Sequence, residues 1–140
     1  MKILAMILSA FVATSIASET FNVTVEVGDI KRDKGNLEIA IFSVDQKEEY
    51  PQSDKPFIGF TKAVTEKGRM TVIFENVPKG EYAVSFYHDI NKDQKLNTNF
   101  VGIPSEPYGF SVERKPLTRA STFDEAKFTV DRSLNLSFDF

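Results

Sequence analysis

Between positions 89 and 99 an oxygen-bearing side chain stands at nearly every second residue: Asp89, Asn91, Asp93, Asn97 and Asn99. Asp89, Asn91 and Asp93 occupy the first, third and fifth positions of a calcium loop. Lys95 would offer its backbone carbonyl at the seventh and Asn97 its amide oxygen at the ninth. Against a cation, Gln94 stands where such loops place the glycine of the sharp turn. Phe100 stands where the bidentate glutamate belongs, and Lys92 and Lys95 add opposing charge. Glu106 would have to fold back to supply a carboxylate. The competing reading is a loop closed by its own Asx-turns. His88, the one histidine, precedes this loop. As a general base it would pair with Asp89 or Asp93; the simpler expectation is a rim histidine bonded to a loop carbonyl. Beyond the loop, Tyr108 and Phe110 flank Gly109. Aromatics beside carboxylates and amides suit a sugar or peptide, whereas in a phenylalanine-rich chain they would instead fold inward and plug the end of the domain. The candidate ligand-binding residues are therefore His88, Glu106, Tyr108 and Phe110. The candidate calcium residues are Asp89, Asn91, Asp93, Lys95 and Asn97.

Alternating strands must position these groups. Phe21, Val23, Val25 and Val27 alternate with polar residues, as do Leu37, Ile39 and Ile41, and Met70, Val72 and Phe74. Tyr82, Val84 and Phe86 share a face with His88. Residues 44–56 read as a charged loop or short helix, residues 57–65 as a weaker strand, and residues 123–127 as one helical turn at most. Residues 126–130 and 134–140 read as a closing hairpin around residues 131–133, with Leu134, Leu136, Phe138 and Phe140 inward. About seven short strands separated by turn signals predict an all-β, single-domain, two-sheet Greek-key sandwich of the immunoglobulin or transthyretin-like kind. Val84 and Phe86 are expected at its centre, facing Val25, Ile39, Val72, Phe128 and Leu136.

The run FENVPKGEYAVSFYHDINKD resembles the strand-turn-strand of transthyretin-like and collagen-adhesin B-type sandwiches. The longer run YAVSFYHDINKDQKLNTNFVGIPSEPYGFS, followed by STFDEAKFTV, resembles domain of unknown function 2141, a group of small secreted bacterial proteins with no assigned activity. Two departures from that pattern stand out. Gln94 and Asn97 replace a Gly and an Asp, which weakens a cation site. Val112-Glu113 and Thr118-Arg119-Ala120 replace an Asn pair and a Gly-Pro-Pro.

Residues 1–17 have the anatomy of a secretory signal: Lys2, an apolar run from Ile3 to Val12, then Ser15 and Ala17 as small residues before cleavage. The run is shorter than a spanning helix requires. The expected organisation is thus a signal at 1–17 and a sandwich at 18–140, in the periplasm or outside the cell. The chain has no Cys, which suits a bacterial envelope. Its formal net charge is −3 and its basic residues are scattered, which argues against nucleic acid. With one His, no Cys and no serine in an elbow context, neither a zinc site nor covalent catalysis is evident. The expectation is a non-enzymatic module that binds a protein or glycan of the cell envelope through residues 89–110. A small outer-membrane barrel and a hydrolase or isomerase using His88 and the acidic loop are the alternatives.

Overall fold

The structure is a computed structural model that describes residues 13–52 and 54–140. The apolar run expected as the core of a signal peptide, residues 3–12, lies outside the described residues. Residues 13–19 are exposed and carry no regular structure. Eight strands follow: β1 (Thr20–Ile30), β2 (Asn36–Ser43), β3 (Ile58–Ala63), β4 (Gly68–Pro78), β5 (Gly80–Asp89), β6 (Tyr108–Phe110), β7 (Phe128–Val130) and β8 (Leu134–Asp139). A single helical turn, α1 (Phe123–Ala126), precedes β7. One sheet has the order β4-β1-β8, and the other the order β3-β2-β5, with β6 and β7 pairing successive stretches of the free edge of β5. The two sheets pack face to face as a sandwich and do not close into a barrel.

Period-two patterning accounts for the packing, because successive strand side chains point to opposite faces. Val23, Val25 and Val27 of β1, Val72 and Phe74 of β4, Leu37, Ile39 and Ile41 of β2, and Val84 and Phe86 of β5 form one buried cluster. Phe128 and Leu136, expected against this centre, are half-buried and pack on it. Phe140 closes one end. Its ring sits 5.3 Å from that of Phe86 and 6.0 Å from that of His88.

Two expectations fail here. The last two strands do not form a hairpin. β7 runs antiparallel to β5 in one sheet, whereas β8 runs parallel to β1 in the other. Residues 131–133 are therefore a crossing between sheets. Nor do Tyr108 and Phe110 plug the space between the sheets. They lie on the outer face of the second sheet, where a smaller core gathers Phe42, Tyr50, Ala83, Phe110, Phe123 and Ala126, with Tyr108 packed against it. Tyr50, from the charged segment read as a loop or short helix, is its hub; a short 3-10 helix does form there, at Val44–Gln46. Its ring meets Phe42 edge-on at 5.4 Å and Phe123 at 6.0 Å, and its hydroxyl donates to the Val84 carbonyl at 3.1 Å.

Candidate functional site

Residues 89–107 leave β5 and return to β6 as one continuous excursion tied by carboxylates. Asp89 is fully buried, and its two oxygens accept the backbone N–H of Asp93 at 3.1 Å and of Gln94 at 2.8 Å. Lys92 and Gln94 take the left-handed conformation, with φ of 61° and 62°. Gln94 thus makes at the sixth position the turn that a glycine would make, despite its Cβ. Asp93 accepts the Lys95 N–H at 3.0 Å, and the side-chain amides of Asn91 and Asn97 donate to it at 3.0 and 2.8 Å. These hydrogen bonds, that from Asn97 foremost, hold its carboxyl below the usual range. The Asn97 Oδ1 is left buried without a partner. Glu106 is buried and joins the two ends of the excursion by accepting Ile90 N–H at 2.8 Å and Asn97 N–H at 3.1 Å. Farther out, the Asn99 Oδ1 accepts from the backbone of Val101 and Ile103, both at 3.0 Å. Among the described residues no three His, Asp or Glu side chains converge as a metal set.

His88 faces the other way. It is buried between the sheets, its Nε2 lies 2.6 Å from the Lys34 carbonyl, and its ring stacks on Phe140. A carbonyl oxygen only accepts, so Nε2 carries the proton. This is the carbonyl-bonded rim histidine anticipated from the sequence.

The outer face of the second sheet carries a cleft. Strand register sets two cross-strand rows there. Thr61, Glu38, Tyr87 and Tyr108 form one row over β3, β2, β5 and β6, and Gly59, Ala40, Ser85 and Phe110 form the next. Three of the four residues in the second row have almost no side chain, so the sheet surface is hollow there. The small core around Tyr50 and Phe110 stands on one side of the hollow and the Tyr87 row on the other. Pro51, Gln52, Asp54 and Pro56, residues 94–96 and 102–104, and residues 117–120 rise around them. The result is an open cleft of about 1220 Å³, large enough for a small organic ligand. Burial and the nearby carboxylates of Glu38, Asp89, Glu106 and Asp93 push the Tyr87 hydroxyl up to about 12. Lys115 lies over the Tyr108 ring, its Nζ 4.1 Å from the ring centre and donating to the Tyr108 carbonyl at 2.8 Å.

A family model described as an uncharacterized protein conserved in bacteria, DUF2141, matches residues 25–136. The chain belongs to this family. No curated protein and no solved structure matches it.

In this DUF2141 chain the candidate binding residues separate into different surroundings. Tyr108 and Phe110 line the cleft. Glu106 and Asp89 hold backbone amides behind it, and His88 lies on the opposite face of β5. Asn91, Asp93, Lys95 and Asn97 are brought together in one loop, whose Lys95 also reaches the cleft rim. Sequence reasoning missed Glu38, Ser85 and Tyr87. Each sits at a solvent-side position of an alternating strand, and only the register between strands makes them neighbours.

Proposed function

We propose that this protein is an exported, non-catalytic binding module whose ligand site is the cleft walled by residues 94–110. The observation that carries this reading is the run of Gly59, Ala40 and Ser85 across three strands, which hollows the outer face of the second sheet. Loops on a rigid scaffold surround it, as in many binding proteins. The position of His88 favours a non-catalytic reading, because the only imidazole is buried away from the cleft and committed to Lys34. The ligand would be a component of the cell envelope. Mapping backbone amide shifts against a mixed fragment library tests the assignment. Hits should cluster on residues 38–42, 85–87 and 94–110 and vanish in Ser85→Trp, which fills the hollow. Hits that cluster elsewhere would overturn it.

A second reading concerns calcium in the Asp89 loop. The left-handed Gln94 and the unpartnered Asn97 Oδ1 favour it. A flip of the Asn97 amide would turn its oxygen toward an ion beside Asp93 and the Lys95 carbonyl. Few carboxylates imply weak binding, with a dissociation constant on the order of 10⁻⁴ to 10⁻³ M. Calcium should then raise the melting temperature by mass action, and Asp93→Ala should remove that rise, whatever the loss of its loop hydrogen bonds costs the chelated protein. A melting temperature indifferent to millimolar calcium retires the reading.

A further inference from the structure

Glu38 stands in the polar row of the cleft between Thr61 and Tyr87. Its Oε2 accepts the Thr61 hydroxyl at 2.6 Å, and its Oε1 is buried with no hydrogen-bond partner. No lysine or arginine among the described residues forms an ion pair with it. A carboxylate oxygen withdrawn from water and given no donor is costly. A charged donor recovers more of that cost than a neutral one. The residue as a whole is only half-buried. The last torsion of a glutamate is broad and nearly two-fold, so a small rotation brings the unpaired oxygen to a donor in the cleft.

The surroundings favour a cation. The four carboxylates that disfavour the Tyr87 phenolate make the same place favourable for positive charge. Aromatic faces attract ammonium groups, and the Tyr108 ring, next in the row, already carries one in Lys115. We propose that the cleft takes a small organic ligand through a primary ammonium group, held between the Glu38 carboxylate and the Tyr87 ring. The inference rests on the cleft being the ligand site, and it adds the chemistry by which that site selects.

The full chain, isotope-labelled, is titrated with 1,5-diaminopentane. Parallel titrations use 1,5-pentanediol, which is its neutral analogue, and a methyl glucoside, which offers hydroxyls alone. The diamine is expected to shift the amides of Glu38, Thr61 and Tyr87 saturably, and the two neutral probes are not. Binding should weaken several-fold between about 50 and about 500 mM salt, as an ion contact does. Glu38→Gln keeps an acceptor for Thr61 and should weaken binding about tenfold or more. Tyr87→Leu should weaken it too, with both variants folded by their melting curves. Equal shifts from diol or glucoside, unaffected by Glu38→Gln, would overturn the ammonium inference and leave the cleft standing. Diamine shifts scattered over surface acids, or none from any probe, would overturn it as well. The fragment map, drawn from charged and neutral compounds alike, judges the cleft separately.

Discussion

Gly109 lies opposite Phe86 in the β5–β6 pair, and a Cβ added to it would run into the Phe86 ring. This core ring of the central strand therefore depends on the absence of a side chain next door. Phe86→Ala should cost about 3–5 kcal/mol, as large-to-small changes in packed cores do. Gly109→Ala should cost about 1–3 kcal/mol through overpacking. Because the two touch, the double variant should lose less than the sum of the two, and urea denaturation of all four proteins reads this directly. Strictly additive losses would mean that the ring and the glycine do not share that space. At this scale the sequence was informative wherever one strand sufficed: alternation alone placed Val84, Phe86 and His88 inward. It was uninformative for Glu38 and Tyr87, because their meeting depends on strand register, which no single segment encodes. The Tyr-Gly-Phe run around Gly109 was visible, but not the ring that the glycine accommodates.

Among the elements, α1 shows how a four-residue turn fastens a long connection. Thr122 and Glu125 form a reciprocal capping box, and Arg119 reaches back to Glu125 through two hydrogen bonds of 2.8 and 2.6 Å. The Arg119 hydrogen bond, followed by the Thr122 amide, lowers the Glu125 carboxyl from 4.5 to about 2. A depressed carboxylate contributes stability above its unfolded value and loses it on protonation. That contribution should therefore be complete above pH 4.5 and fade as pH falls toward about 2. Glu125→Gln should flatten the stability profile across that window, as followed by urea titrations at stepped pH, and should leave the profile above it parallel to the parent. An unchanged acid limb would show that Glu125 does not shape it. The helical turn was readable as one turn at most over residues 123–127, because a structure this local depends on its own segment. The fate of β7 and β8 was not. Asp131, Arg132 and Ser133 supply the same turn signal whether a chain folds back on itself or crosses to the facing sheet, and only the competing partners β5 and β1 decide.

For the molecule as a whole, the alternating strands without a long helical stripe were enough to give a two-sheet sandwich, and the two sheets do not close into a barrel. The proposed export of this DUF2141 protein predicts a mature chain that begins at Ser18. N-terminal sequencing of envelope material checks it, and a chain still carrying Met1 would count against it. The parallel pairing of β1 with β8 has a temporal meaning. The first strand sits beside the last, so that Asn22 meets Ser133 across 111 positions of chain. Closing so long a loop costs entropy before any contact repays it, and refolding should fall in the millisecond-to-second range of β sandwiches. Until β8 arrives, β1 has only β4 to pair with, and one of its edges is open to other chains. If β8 docks last, Leu136→Ala should speed unfolding and barely slow refolding, whereas a slowed refolding limb would place β8 in the nucleus. In the first case the vulnerable species is a nearly complete sandwich missing one strand, and the time it spends open is set by the diffusion of the final few residues.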